Sequence, residues 1–389
     1  MSVARAALIG TACSAVLVGL YLWQREPPQT GPAAPRAHAR PAPAAPPVTP
    51  LAAAPRTIAA SPLRAALVRA FRDAQVPREI LDRLQAGDVA GVAREFAAAN
   101  DAEGAVHLFD LAALCATEGH APADGSPDER AALEATRDLP APHATLAALI
   151  DARHAWQARF GAGCAGAALD PADVRRRLAA AAAAGNAMGV ERLAAYDERP
   201  GLRLQSAALL GSARAQFRLG VAVFGTHPAE GRSWLEASAK VDADAEAYYA
   251  MCLLSGCVGA ADPDAARAEL ESAARAGSLF ALGVLASPDA AEGVRRWSRS
   301  DAIVTPVAPR DASVLGVSTP AAYGWATLAE QLANSGCFGF EFGIAADAFG
   351  NRAHFESTLR SAELEAARAA AEQLVGSTAA TTRHALGCD

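Results

Sequence analysis

Large apolar side chains recur at helical spacing between Ser212 and Leu285, and the same pattern occurs more than once. In three stretches of this region they fall on one face of a helix, and alanine-rich segments separate the stretches. The pattern predicts helical hairpins in tandem, in which each first helix carries one apolar set. The sets are Phe217, Leu219, Val221 and Phe224; Tyr248, Met251 and Leu254; and Phe280, Leu282 and Leu285.

Three prolines mark the second helix of each hairpin. When Pro171, Pro228 and Pro263 are aligned, arginine stands at the fifth position and leucine at the eighth in every copy. Proline is tolerated in the first helical turn, because its missing N–H would have no partner there, and Asp170 and Asp262 stand where N-caps belong. Each proline is therefore predicted to open a helix. The leucines at the eighth position are Leu178, Leu235 and Leu270.

A two-helix unit of about 35 residues cannot bury its apolar face alone, so neighbouring units are expected to stack into a solenoid. Over about residues 170–288 the pattern resembles the Sel1-like repeat (SLR) family of TPR-like hairpins, although Cys252 stands where the family usually has glycine. The resemblance implies an α/α solenoid with helical caps. An ordinary alanine-rich helical domain is the alternative. The matching first-helix positions are Leu219 with Gly220, Met251 with Gly256, and Leu282 with Gly283.

An uncharged stretch from Ala6 to Trp23 precedes the repeats. As a helix it would be on the order of 27 Å long, about the thickness of a bilayer's hydrocarbon core. Arg5 lies before it, and Tyr21 lies near its far end, where aromatic residues favour the membrane interface. Residues 1–26 are therefore predicted to form one transmembrane anchor in a bacterial inner membrane, with the N-terminus cytoplasmic and most of the chain periplasmic. Secretion after cleavage of a signal peptide is the alternative.

Composition divides the rest of the chain. Proline and alanine dominate the segment before residue 63, which predicts an extended linker. The predicted parts are the linker 27–62, an N-terminal helical cap or irregular repeats 63–169, the repeats 170–300, a loop 301–322 and a C-terminal helical cap 323–389.

Local signals refine these parts. Pro142 is predicted to open a long helix, and Ala302–Val307 is the one short candidate strand. In the C-terminal cap we expect a helix pair, Tyr323 to Leu332 and Glu363 to Leu374, around an aromatic segment. The phenylalanines of that region are interpreted as core, with an exposed binding patch as the alternative. They are Phe338, Phe340, Phe342 and Phe349.

Six cysteines lie outside the predicted anchor, and an even number favours an oxidising compartment. Six cysteines allow fifteen sets of pairs, and proximity in the sequence is the basis for choosing one. A reduced cytosolic protein with buried thiols is the alternative. The chosen pairs are Cys115 with Cys164, Cys252 with Cys257, and Cys337 with Cys388.

The residue types exclude several classes of function. A formal net charge of −7 and a pI near 5.7 do not favour nucleic acid as a partner. Lys240 is the sole lysine and has Ala237 three residues before it, so S-x-x-K is absent, as are G-x-S-x-G, the P-loop and the dinucleotide fingerprint. His107, Cys115 and His120 lack the paired short spacing of zinc motifs.

We therefore expect no catalytic residue, no cofactor and no metal ion. Two carboxylates as far apart as Glu341 and Asp347, on a glycine-rich segment, are more typical of solvated surface than of an acid/base pair. The expected function is a scaffold that binds an unknown protein or peptide partner and is attached to the membrane by its N-terminal helix. The alternatives are an envelope hydrolase with an unrecognised site near residues 338–347, and a purely structural spacer.

Overall fold

The computed structural model describes residues 61–71, 76–119, 125–197, 200–224, 226–257, 259–297 and 314–388. These residues belong to one contact unit, Arg56–Asp389. Apart from turns and connections, the described residues are helical and contain no strand, which confirms the all-α prediction for them.

The α-helices of the N-terminal region precede the repeat array. They are α1 Ser61–Ala70, α2 Arg78–Ala86, α3 Val89–Ala99, α4 Ala102–Glu118, α5 Pro127–Ala135 and α6 Pro140–Gly166. The helices of the array are α7 Pro171–Ala183, α8 Ala187–Leu193, α9 Pro200–Leu209, α10 Ala213–Phe224, α11 Pro228–Ala239, α12 Ala243–Ser255, α13 Pro263–Arg275, α14 Leu279–Ala286 and α15 Ala290–Trp297. The C-terminal helices are α16 Thr319–Asn334, α17 Phe342–Thr358 and α18 Ser361–Ala385.

Local capping explains where the array helices begin. Pro171, Pro228 and Pro263 each lie in the first turn of a helix. The Asp170 and Asp262 carboxylates accept backbone N–H bonds from those first turns, which satisfies donors that have no partner within the helix. The starts of α7, α11 and α13 are therefore encoded locally.

Four details of the sequence prediction differ from the structure. Helix α6 begins at Pro140 and not at Pro142, so the first proline of the pair takes the first helical turn. Helix α1 begins at Ser61, inside the predicted linker, and α16 begins at Thr319, inside the predicted loop. The C-terminal cap has three helices and not a pair, because α17 forms from the aromatic segment. The candidate strand lies outside the described residues.

Successive helices pack on one another from α7 to α15, as a stacked array of hairpins requires. Helix α4 packs on α7 and extends the array towards the N-terminus. At the other end, α17 packs on both α5 and α6, and α18 packs on α13 and α16. Helices of the N-terminal and C-terminal regions are therefore in direct contact.

Helix α6 joins the two largest apolar cores of the described residues. Leu146 and Leu149 near its start belong to a core shared with the C-terminal helices. Trp156 and Phe160 near its end belong to a core shared with α1 to α4. Between them Arg153 forms ion pairs with Glu118 and Glu129 at 3.0 and 3.1 Å. A charged layer thus separates two cores along one helix face.

The described residues contain three disulfides. They join the pairs chosen from sequence proximity, with Cα–Cα distances of 5.7, 4.9 and 5.3 Å. Two of them close loops of 49 and 51 residues, while the third spans only 5 residues at the end of α12. These distances belong, respectively, to Cys115–Cys164, Cys252–Cys257 and Cys337–Cys388.

The predicted transmembrane segment, Ala6 to Trp23, lies outside the described residues. Within the described ranges, none of the helices combines the length and the apolar character needed to cross a bilayer.

Candidate functional site

A groove crosses the starts of three alternate helices of the array, α8, α10 and α12. Its volume is about 720 Å³, and its lining also includes the ends of α13 and α18. Because each hairpin contributes one helix start, the groove follows from the stacking itself. The lining residues on which the argument below depends are Met188, Arg214, Lys240, Val241, Glu246 and Ala385.

A recurring turn builds each helix start in the groove. Gly185 and Gly211 adopt positive φ angles of 82° and 95°, and each is followed by an N-cap residue, Asn186 or Ser212. Asp242 is the third cap, and here Val241 replaces the glycine. Each cap side chain accepts a backbone N–H bond from three residues further on, at 2.7, 3.2 and 2.7 Å. The groove wall is therefore a set of capped first turns.

Both signs of charge face the groove. Arg214 and Lys240 supply cations, and Asp242 and Glu246 supply carboxylates. Burial raises the pKa of Glu246, a hydrogen bond with Ser272 opposes the rise, and the neighbouring Glu269 carboxylate adds to it. The groove thus offers complementary positions for both signs of charge.

Val241 is the apolar contact that the groove exposes most. Its side chain is 75% exposed, at the position where the other turns have glycine. Met188 is half-buried on the same lining. Ser212 is buried, and its hydroxyl donates to Glu191 at 2.9 Å while capping α10. Its hydroxyl therefore has a structural role in this helix start.

A buried ion cluster lies next to the groove. Arg192 on α8 contacts Asp110 on α4 at 2.8 Å and Glu191 at 3.0 Å. The three side chains are 6%, 7% and 2% exposed. Arg214, on the groove lining, approaches Glu191 at 3.6 Å. Because charges in such an environment need one set of partners, the cluster fixes α4, α8 and α10 relative to one another.

The repeat-signature residues form the frame of the array and do not line the groove. Leu178, Leu235 and Leu270 are fully buried. A Cβ added at Gly220 would lie 2.9 Å from Leu235, so glycine permits the close approach of α10 and α11. The remaining positions are in the first turn of a helix (Pro171, Pro228, Pro263), buried (Leu219, Met251, Leu282), at a left-handed helix end (Gly256) or half-buried (Gly283).

The histidines and the cysteine that were considered as metal ligands do not form a metal site among the described residues. Cys115 is in a disulfide, and the His107 ring packs against Phe96 at 4.7 Å between centroids. His120 lies outside the described residues. Over the part of the chain that the structure describes, no group of three potential metal-ligating side chains is present.

The aromatic segment of the C-terminal cap is mainly core. Phe338, Phe342 and Phe349 are each 2% exposed, and Phe340 is half-buried against Trp156. Glu341 is exposed at the start of α17, and Asp347 is half-buried within that helix. Three of the four rings are therefore core residues, as interpreted from the sequence, and the fourth is half-buried.

Comparison with solved structures finds a likeness to this chain. The chain is similar to a protein of SLR fold. This is c5321, a protective antigen present in uropathogenic Escherichia coli strains, whose crystal structure displays an SLR fold; the likeness covers 77% of this chain at 18% identity with a TM-score of 0.40. The match spans 58% of the length of that protein. No family model matches the sequence, and no curated protein matches it either.

Sequence reasoning missed the groove residues, because it followed the buried signature and not the turns between helices. A signal for them exists. Each helix whose start lines the groove follows a short turn that ends in an N-cap residue. Gly185-Asn186 and Gly211-Ser212 are two such turns. Aligning these turns singles out Val241, where the glycine is missing and an exposed apolar side chain takes its place.

Proposed function

We propose that this protein is a helical-repeat scaffold of the bacterial cell envelope that binds an extended protein or peptide segment in the groove across α8, α10 and α12. In this proposal the N-terminal segment tethers the chain to the inner membrane, and the folded part works in the periplasm. The groove, formed by repeated helix starts, is the observation that carries the proposal, since stacked hairpins create extended binding surfaces.

Two features of the described residues support a binding role. The groove presents an exposed valine between positions of opposite charge, a combination suited to a peptide with apolar and charged side chains. The wall behind it is held by buried ion pairs and by capped helix starts. A preorganised wall loses little conformational entropy when a partner binds.

Three disulfides support the periplasmic part of the proposal, because disulfides persist in oxidising compartments.

Site-specific photocrosslinking tests the proposal. The full chain is expressed in its host with benzoylphenylalanine in place of Val241. After irradiation, mass spectrometry identifies the crosslinked peptide. The matched control places the same probe at Val314, an exposed valine outside the groove that is 58% exposed against 75% for Val241. Both sites are exposed, so the probe should not disturb folding.

We expect a defined adduct at position 241, none at position 314, and loss of the adduct when Ala213→Trp fills the groove. The same adducts at both positions, or an adduct at position 241 that Ala213→Trp leaves unchanged, would show that the groove is not the binding site.

A further inference from the structure

Two tight turns near the C-terminal end of the described chain form a seat for α1. Gly336 and Gly387 have φ angles of 74° and 70°. A Cβ at Gly336 would lie 2.7 Å from Pro62, and one at Gly387 would lie 2.5 Å from Val68. Only glycine meets both the conformation and the space at these positions. We call residues 336–339 and 386–388 the α1 seat.

The Cys337–Cys388 disulfide joins the two turns of the α1 seat. Each cysteine directly follows one of the two glycines that contact α1, and the cysteines are 0% and 2% exposed. The backbone N–H groups of residues 386–388 donate to carbonyls in the last turn of their own helix, α18. The disulfide is therefore the covalent link between the turn at 386–388 and the turn at 336–339.

Helix α1 packs against both the C-terminal helices and the N-terminal helices that follow it. Ala65 packs in the core shared with the C-terminal helices, while Leu67 and Phe71 pack in the core shared with Trp156. The Arg69 guanidinium donates to the Phe338 carbonyl across 269 residues of sequence. Helix α1 thus contributes to both cores and contacts the α1 seat directly.

Helix α1 also forms one wall of a second cavity of about 440 Å³. Trp156 and Phe340 also line it, together with Arg153 and Glu118 of the charged layer. Departure of α1 would expose these aromatic rings.

We propose that the Cys337–Cys388 disulfide is a redox latch that holds α1 in its seat. A dithiol reductant opens the latch by exchange: the bond between the two sulfurs breaks, Cys337 and Cys388 become thiols, and the dithiol becomes a disulfide. The two turns then separate and α1 leaves the seat. The coupling is reciprocal, because a bond that favours the docked helix is itself favoured by docking. The sulfurs are buried, so a docked α1 also protects the disulfide from reduction.

Hydrogen exchange on the full chain tests the latch. Cys388→Ser removes this disulfide, and Cys257→Ser is the matched control that removes the short disulfide of α12. In Cys388→Ser we expect amide exchange in residues 65–71 to rise by at least about tenfold, with α7 and α8 unchanged. In Cys257→Ser we expect residues 65–71 to keep their protection. Unchanged protection of α1 in Cys388→Ser, or an equal rise throughout α7 and α8, overturns the proposal.

A second variant decides the question if Cys388→Ser does not fold. Val68→Ala removes the methyl groups that contact Gly387 and keeps every cysteine. We expect dithiothreitol to reduce Cys337–Cys388 several-fold faster in this variant, with the rate for Cys115–Cys164 unchanged. Val174→Ala, which truncates a buried valine of α7, is the control for general destabilisation. If both variants accelerate reduction equally, or neither does, α1 does not guard the disulfide.

Discussion

The two halves of the array differ in the kinds of side chain that they bury. Around α8 and α10 the contacts include a charged cluster, with Asp110, Glu191 and Arg192 almost fully buried. Around α12 to α14 the buried side chains are nearly all apolar, with alanines, Met251 and Leu270 completely enclosed. One hairpin architecture is thus held by directional ion pairs at one end and by apolar packing at the other.

The difference shows what each kind of contact contributes. Apolar burial stabilises in proportion to area and has no direction, so small residues permit close packing at many relative positions. A buried ion pair gains little net stability, because desolvation offsets the attraction, but it is satisfied in one arrangement only. The charged half therefore sets the orientation of α8 and α10, two of the three groove-forming helices, and the apolar half supplies stability.

The largest expected effect comes from breaking the ion cluster on one side. Arg192→Met leaves Asp110 and Glu191 without their buried cation, which should lower the free energy of unfolding by about 3–5 kcal/mol. Urea denaturation followed by circular dichroism measures it. Arg214→Met is the control: this arginine is 56% exposed beside the same Glu191, and its loss should cost less than about 1 kcal/mol.

Replacing the whole cluster sharpens the comparison. Arg192→Met combined with Asp110→Leu and Glu191→Met leaves no buried charge unpaired, so we expect stability close to that of the parent. If the single substitution costs no more than the control, the cluster does not hold the helices as described.

A smaller effect is expected in the apolar half. Leu270→Ala empties a fully buried position in α13, and the lost burial and the residual cavity should cost about 3 kcal/mol. Leu202→Ala is the matched control, because Leu202 is 75% exposed on α9 and should change stability by less than about 0.5 kcal/mol. Equal urea-denaturation midpoints for the two variants would mean that α13 does not contribute to a packed core.

The smallest expected effect concerns pH and the groove. Burial raises the pKa of Glu246, so its contribution to stability is fully present below the unfolded-state pKa and is lost as pH rises through the folded-state pKa. Glu246→Gln should therefore gain about a few tenths of a kcal/mol at pH 8 and show no gain at pH 3, a size limited by solvent screening of a half-exposed side chain.

Glu236 is the control of opposite sign. A hydrogen bond from Arg232 holds the pKa of Glu236 below its usual range, so its stabilising effect exists above the unfolded-state pKa and is lost as pH falls. Glu236→Gln should lose stability at pH 8 by a similarly small amount. Urea midpoints at pH 3 and pH 8 check both variants, and shifts of the same sign would contradict these assignments.

The sequence predicted the array best where signals are local. The prolines and aspartates that open α7 and α13 act within one helical turn, so a short window contains the whole cause. Helix α17 was missed because Gly343 and Gly350 disfavour a helix locally. Burial of Phe342, Phe349 and Phe355 in the core shared with α5 and α6 overrides that preference.

The groove could be predicted only in part. Two of its turns can be recognised in the sequence as Gly185-Asn186 and Gly211-Ser212. Their alignment into one surface depends on how the hairpins stack. The neighbouring ion cluster pairs Asp110 with Arg192 across 82 residues. No periodic pattern connects residues at such a distance, so their partnership could not be predicted.

By itself the sequence determined the all-α class, the starts of the array helices and the buried leucines, because proline, N-caps and apolar periodicity act over one or two turns. Only the tertiary structure decided how the two ends meet. The α1 seat depends on Pro62 lying against Gly336 and Val68 against Gly387, contacts that close very long loops. Their stability comes from packing among distant residues, and that information is absent from any short stretch of the chain.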